Sequence, residues 1–354
     1  MIDSIIEELL EKHTVDDGKL LLLLENDDAA SDGRLHAAAR EVTEGRFGRE
    51  VYLRALIEWS NVCRNDCLYC GIRRSNTEVA RYRMTEDEIL QCCDRAWRLG
   101  LKTFVLQGGE NPAAAAALAS TVASIRASWP GAAITLSLGE LPRETYALLR
   151  KSGADRYLLR HETADPQHYA QLHPAGMTLS GRLDCLRSLR LLGYQTGMGM
   201  MVGSPHQTSR HLLADLRLME RFRPEMIGIG PFIPQHDTPL GDQPAGSASL
   251  TLRLISILRL MHPDALIPAT TALSTLMKEG RTAGLLAGAN VIMPDFTPQD
   301  RRRDYALYEG KNAAWTETAA NLLQLKTELE AIGRHVSSGR GDHINHQTAY
   351  TDNV

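Results

Sequence analysis

Three cysteines, Cys63, Cys67 and Cys70, stand in the spacing C-x3-C-x2-C within Asn61-Val62-Cys63-Arg64-Asn65-Asp66-Cys67-Leu68-Tyr69-Cys70-Gly71. Three thiolates on one short loop can hold three corners of a cubane iron–sulfur cluster. A 4Fe–4S cubane then keeps one iron open to an outside ligand, such as the amino acid part of S-adenosylmethionine (SAM). Reduction of such a cluster can break the sulfonium C–S bond and release a 5′-deoxyadenosyl radical. The competing reading is structural zinc, which is four-coordinate and closed. No nearby histidine completes that set, and Cys92, Cys93 and Cys185 are distant in sequence. A disulfide would leave one of the three unpaired.

Such a loop needs a rigid support. The run Val51 to Trp59 is rich in Val, Leu, Ile, Tyr and Trp and reads as a strand, which sets the cysteines just past a strand end. Further apolar runs follow at Lys102 to Gln107, Ala132 to Leu138, Arg156 to Arg160, Gln195 to Val202, Met226 to Ile229, Ala265 to Ala269 and Asn290 to Met293. Helical patterns separate them, over Thr85 to Arg98, Ala113 to Ala127, Arg143 to Ser152, Gly181 to Leu192, Ser209 to Arg221, Thr251 to His262 and Ser274 to Leu286. With Val51 to Glu58 this makes eight strands in a βα rhythm, the pattern of an α/β protein built as a (β/α)8 TIM barrel. In that fold the chemistry sits at the C-terminal strand ends, where the cysteine loop lies.

Residues 1–48 read as an N-terminal helical extension with caps at Asp16, Asp17, Ser31 and Asp32. It is expected to plug one end of the barrel or pack outside it, with His36 on the surface. Residues 49–300 form the barrel, and 301–354 a helix from about Trp315 to Ile332 and a polar tail that closes the barrel. The tail from Gly333 reads as mobile, or ordered only by local docking; its His335, His343 and His346 lack a fixed ligand spacing.

The chain of 354 residues carries a formal net charge of −4. That balance points to neither nucleic acid nor an anionic membrane as partner. No apolar run is long enough to cross a bilayer, and the start, Met1 to Glu8, is acidic and amphipathic rather than signal-like. Six unevenly spaced cysteines fit a reducing cytoplasm. Aromatic residues make up only 5%, so the core must come from Leu, Ile, Val, Ala and Met.

Other strand ends carry polar or permissive groups. Gln107-Gly108-Gly109-Glu110 follows the second strand; glycines allow close backbone approach, and Glu110 can accept from an ammonium, although glycines are also ordinary in turns. Arg160 suits a carboxylate and Glu162 suits hydroxyl groups, while a structural ion pair between them is the plain alternative. His161 between them is expected to point into the opposite layer. Gly197 to Gly203 leaves space for a flat ring, with Met201 as a soft contact, or is simply barrel core. Thr270 and Thr271 end the seventh strand, where their hydroxyls can hold an anion or serve only the fold.

C-x3-C-x2-C with an aromatic residue before the last cysteine is similar to the signature of the radical-SAM superfamily. The surrounding text resembles, more narrowly, the FeFe-hydrogenase maturase HydE family. It does so at Glu58 to Cys63, Leu68 to Asn76, Tyr82 to Thr85, Thr135 to Glu140, Arg156 to Thr163, Gly228 to Pro234 and Pro268 to Ala272. The resemblance runs from about Val51 to about Gly333. It implies one 4Fe–4S cluster on Cys63, Cys67 and Cys70. It implies SAM held by Tyr69, Gly108, Gly109, Glu110, Ser137, Glu162, Arg182, Met201 and Ile229. Substrate contacts fall on Gln107, Arg160, Thr270, Thr271, Met293 and Tyr308, with Arg160 and Tyr308 joining the cysteines as catalytic residues. The implied substrate is a cysteine-bound iron–carbonyl–cyanide species supplied by the maturase HydG, processed toward the di-iron precursor of the hydrogenase H-cluster. A HydF-type scaffold and an electron donor are the implied partners. One departure stands out. A second cysteine cluster found in many such proteins would fall on Ala313, Asn321 and Gln324, and no cysteine follows Cys185, so no second cluster is expected. The alternatives are a radical reaction on an organic substrate, of the methylornithine synthase or biotin synthase type, and a non-catalytic zinc-binding protein.

Overall fold

The structure, a computed structural model, describes residues 2–311 and 319–349. Its centre is a ring of parallel strands: β1 (Glu50–Leu53), β2 (Ala55–Ser60), β3 (Thr103–Gly108), β4 (Ala133–Ser137), β5 (Arg156–Leu158), β6 (Gln195–Met198), β7 (Met201–Val202), β8 (Met226–Ile227), β9 (Gly230–Pro231) and β10 (Val291–Ile292). Pairing runs β2-β3-β4-β5-β6-β8. Parallel bridges Met226–Leu266 and Pro268–Val291 carry it through the seventh position, and Tyr52–Val291 and Leu56–Asp295 close it on the first strand. The result is a (β/α)8 barrel, its strands buried on both faces under helices, as parallel sheets require.

The helices start where the sequence offers caps. Thr85 and Glu88 form a reciprocal capping box before Glu86–Arg98. Asn111 and Asp165, each followed by proline, cap Pro112–Ser128 and Pro166–Leu172. The second of these helices was not expected from the periodicity; seven residues are too few to show one. Three expected elements are broken. The first strand divides at Arg54, although the Arg54 amide still bonds Ile292 O at 2.9 Å. The fifth divides at Gly199, whose Cβ would lie 1.9 Å from Gly228 O; the glycine serves strand contact there, not room for a ring. The expected helix over Ser274 to Leu286 is two, Thr271–Leu276 and Gly280–Leu286, because Gly280 packs against the Leu273 backbone.

The N-terminal helices Ile2–Lys12, Asp17–Leu24 and Ala29–Phe47 lie outside the barrel against Ala248–Met261. Asp16 caps the second as expected, but Asp28, not Ser31 or Asp32, caps the third. His36 is half-buried and bonds Ser256 Oγ at 2.8 Å, so it is not a free surface residue.

At the floor of the barrel the described part of the tail docks on the strand ends, the second of the two readings of this segment. β11 (His335–Val336) pairs in parallel with Glu50 and Val51. Asp342 then meets Arg156 at 2.7 Å and Gln195 at 2.8 Å, and the Arg340 carbonyl accepts from Thr103 Oγ1. Thr103, Arg156 and Gln195 are the first residues of β3, β5 and β6, so the segment crosses the N-terminal strand ends. The last described α-helix covers Ala319–Ala331. Its expected start at Trp315, like Ala313, lies outside the described residues.

Candidate active site

The cysteine loop leaves β2 at Asn61, and that buried side chain pins it. Asn61 Nδ2 donates to Ala80 O and Asp304 O at 2.8 and 2.7 Å, and Asn61 Oδ1 accepts from the Tyr82 amide. The loop after β3 lies directly against it. A Cβ on Gly109 would sit 2.6 Å from Val62 O and 2.9 Å from Cys63 Cβ, and one on Gly108 would sit 2.5 Å from Trp59 Nε1. These glycines are therefore required by loop-on-loop packing whatever else they bind.

Cys63, Cys67 and Cys70 are free thiols. Burial pushes all three up, Cys70 to about 12, and the neighbouring thiols add to the shift on Cys67. Three thiols that repel one another's ionisation are a donor set that a bound cation would deprotonate. Among the described residues no three His, Cys, Asp or Glu side chains meet as ligands of a single ion. A cubane is held by separate thiolates on separate irons.

A cavity of about 280 Å³ opens beside the loop. Of the residues marked in the sequence, Cys63, Tyr69, Cys70, Gln107, Gly108, Gly109, Glu110, Ser137, Arg160, Glu162, Arg182, Met201 and Tyr308 line it. Cys67 does not, though it lies close enough for the other two thiols to act on it. Ile229 is fully buried in the core and is not part of the wall; Pro231 and Ile233 face the cavity instead. Thr271 and Met293 line a second, smaller cavity of about 50 Å³, together with Arg281, Asp295 and Lys311. Thr270 Oγ1 is buried without a hydrogen-bond partner among the described residues.

The charges of the wall are paired. Glu110 accepts from Arg64 Nε at 2.9 Å and from the Glu140 amide at 2.6 Å. Arg182 meets Glu140 at 2.7 Å and donates to Arg160 O. Arg160 stands 2.9 Å from Glu162, so the plain ion-pair reading holds. Glu162 has φ 65°, unusual for a residue with a side chain. His161 turns out of the barrel to Asp215 at 3.0 Å, as strand alternation expects. Tyr69 lies edge-on to His173, and burial raises its phenol well above the ordinary value. Burial also lowers His173 to about 4, so that ring is neutral at pH 7.

Sequence reasoning did not single out Arg64, Glu140, Tyr305 or Leu307. Glu140 was within reach, because it closes the quoted run Thr135 to Glu140. Tyr305 and Leu307 precede Tyr308 in an aperiodic loop, which gives no signal of direction.

The sequence pattern of the radical SAM superfamily matches residues 57–219. The chain is 44% identical to the [FeFe] hydrogenase maturase subunit HydE of Thermotoga maritima, over 93% of this chain and 94% of that one. It is 31% identical to 3-methylornithine synthase of Methanosarcina barkeri, over 87% of each. A crystal structure of methylornithine synthase superposes with a TM-score of 0.82 at 28% identity, covering 94% of this chain and 97% of that one. An enzyme of the radical SAM type, with the SAM and iron–sulfur chemistry that type implies, is thus the frame for this cavity, and the chain belongs to the radical SAM superfamily and, within it, to the HydE maturase family.

Proposed function

We propose that this protein is a radical SAM maturase that acts in assembly of the FeFe-hydrogenase H-cluster, on a cysteine-bound iron–carbonyl–cyanide precursor. The observation that carries the reading is 44% identity along 94% of a HydE relative. Cys63, Cys67 and Cys70 would hold one 4Fe–4S cluster. When bound and reduced, that cluster supplies the electron that splits SAM into methionine and a 5′-deoxyadenosyl radical. Glu110 and the carbonyls of Gly108 and Gly109 would take the methionine ammonium, and Arg182 its carboxylate. Glu162 would accept from the ribose hydroxyls, with Tyr69 and Met201 beside the adenine. Gln107, Arg160 and Tyr308 face the remaining space, where a substrate carboxylate would meet Arg160. Leu158, Leu159, Pro231 and Ile233 make the rest of the wall apolar, which keeps water from a radical. A HydG-type enzyme would supply the substrate, a HydF-type scaffold would receive the product, and a cytoplasmic reductant would give the electron.

A second reading, a rearrangement of an organic amino acid, is favoured by the likeness to methylornithine synthase. One assay separates the two. Apo-hydrogenase is combined with the other maturases, SAM and reconstituted protein, and hydrogen evolution is followed. Evolution that depends on this chain and on its three cysteines supports the maturase. Reductive formation of 5′-deoxyadenosine without maturation moves the substrate to an organic molecule.

A further inference from the structure

Glu58 and Lys311 have no role in the reading above, yet they meet as a buried contact behind the cavity wall. Glu58 is 0% exposed, the Lys311 side chain 8%, and Lys311 Nζ stands 2.6 Å from Glu58 Oε1. Glu58 belongs to β2, just before the cysteine loop. Lys311 belongs to residues 304–311, which cross the mouth of the barrel and bring Tyr305, Leu307 and Tyr308 to the cavity. The start and middle of the segment are fastened through the backbone. Asn61 Nδ2 donates to Asp304 O at 2.7 Å, the Gly71 amide to Leu307 O at 2.9 Å, and the Glu309 amide to Pro234 O at 2.9 Å. The fit is close: a Cβ on Gly71 would lie 1.9 Å from Ala306 O.

At Lys311 the fastening is through the side chain. The Lys311 ammonium touches Glu58 and lies 5.1 Å from the centre of the Tyr305 ring. The Tyr305 hydroxyl in turn meets Gln107, and the Tyr308 hydroxyl meets Thr275. A second charged contact on the same segment, His236 to Glu309 at 2.7 Å, joins side chains that are 70% and 62% exposed, and exposed pairs contribute little. A buried pair is weak evidence of stability, because apolar residues can replace it without loss. Its consequence here is geometric: Lys311 Nζ lies 2.6 Å from the fully buried Glu58 Oε1, and that contact holds this part of the segment against β2.

We propose that Glu58 and Lys311 are positioning residues, whose contact clamps residues 304–311 over the cavity and so holds Tyr305 and Tyr308 at the substrate and the radical away from solvent. The clamp deepens the radical-enzyme reading and rests on it for the second of two readouts. The first is backbone hydrogen exchange over 305–311 in the full-length reconstituted protein. The second is 5′-deoxyadenosine released under reducing conditions with no substrate added.

Lys311→Met is expected to speed exchange in the segment by at least about tenfold, since breaking a buried pair is costly, and to raise uncoupled 5′-deoxyadenosine. That variant also strands a buried carboxylate, so Glu58→Gln/Lys311→Met is the deciding one. It removes the carboxyl and the ammonium together and is expected to regain the wild-type melting temperature while the segment stays in fast exchange. Glu309→Gln is expected to leave exchange unchanged. Wild-type exchange in the double variant, or opening by Glu309→Gln as large as that by Lys311→Met, would overturn the clamp. If neither the unmodified protein nor the Lys311→Met variant releases 5′-deoxyadenosine, the radical-enzyme reading fails, and the exchange arm still decides the clamp.

Discussion

Glu162 shows how a single residue can be held against its own preference. Its φ of 65° crowds Cβ against the backbone, at a cost of about 1 kcal/mol. A parallel bridge to Met200 and the ion pair with Arg160 hold it there, with its carboxylate at the cavity. Strain kept at a cavity wall is a mark of use rather than of fold. Glu162→Gly is therefore expected to unfold at a higher temperature than Glu162→Ala, a difference of about 1 kcal/mol, and both are expected to bind SAM more weakly in calorimetry. The cysteines give the companion test. Cys67→Ala should lower iron and sulfide per chain and abolish reductive SAM cleavage. Zinc without sulfide in the anaerobically prepared protein would instead favour the structural-metal alternative.

Between the cysteine loop and the loop after β3, the packing leaves no slack. Gly109 lets the two backbones touch, and the Arg64 amide donates to Glu110 O at 2.8 Å across the same gap. Gly109→Ala pushes a methyl into Val62 O and is expected to cost about 1–3 kcal/mol. Because the displaced atoms belong to the cysteine loop, the same change should reduce the iron retained after reconstitution. A fall in melting temperature with full iron loading would show that the loop absorbs the strain elsewhere.

Whole-molecule stability is set partly at the floor, far from the chemistry. Arg156 is 0% exposed and Asp342 is its nearest acid, at 2.7 Å. Asp342→Ala leaves a buried guanidinium uncompensated and is expected to cost about 3–5 kcal/mol, measured by denaturant unfolding, with SAM cleavage by the folded fraction unchanged. The pH dependence follows from Glu58. Burial pushes this carboxyl up to about 8; Asp295 adds to the shift, while Lys311 and Arg302 oppose it. A raised carboxyl keeps a proton in the folded chain that the unfolded chain has already lost. Stability therefore falls as pH rises from the ordinary carboxylate value toward 8, with a slope of at most about 1.4 kcal/mol per pH unit from this group. Glu58→Gln should flatten the profile in that window. Below about pH 8 the Glu58 carboxyl is largely protonated, so its 2.6 Å contact with the Lys311 ammonium carries charge on the lysine side only.

The alternation of apolar runs with helical periods was enough to expect a barrel, because strand and helix patterns are written locally. The cysteine spacing was likewise local, and so was the choice of strand end that carries it. Other features depended on contacts between residues far apart in the chain. Gly108 and Gly109 read as glycines that let a ligand approach, and the structure adds a second reason for them, the neighbouring loop that stands where their side chains would be. Ile229 and Met201 lie in similar runs, but only Met201 reaches the cavity, because the turn of each strand end decides which face a residue shows. The polar tail has no periodicity to announce it, and its residues 340–342 are held by Arg156, Gln195 and Thr103 at the floor. Glu58 and Lys311 stand 253 positions apart (311 − 58), and nothing local marks either as a partner. The sequence by itself determined the elements and the reactive loop, since propensity, pattern and spacing act over short range. Only the tertiary structure decided which charges pair, which residues face the cavity and what covers each end, because those follow from packing across the closed ring.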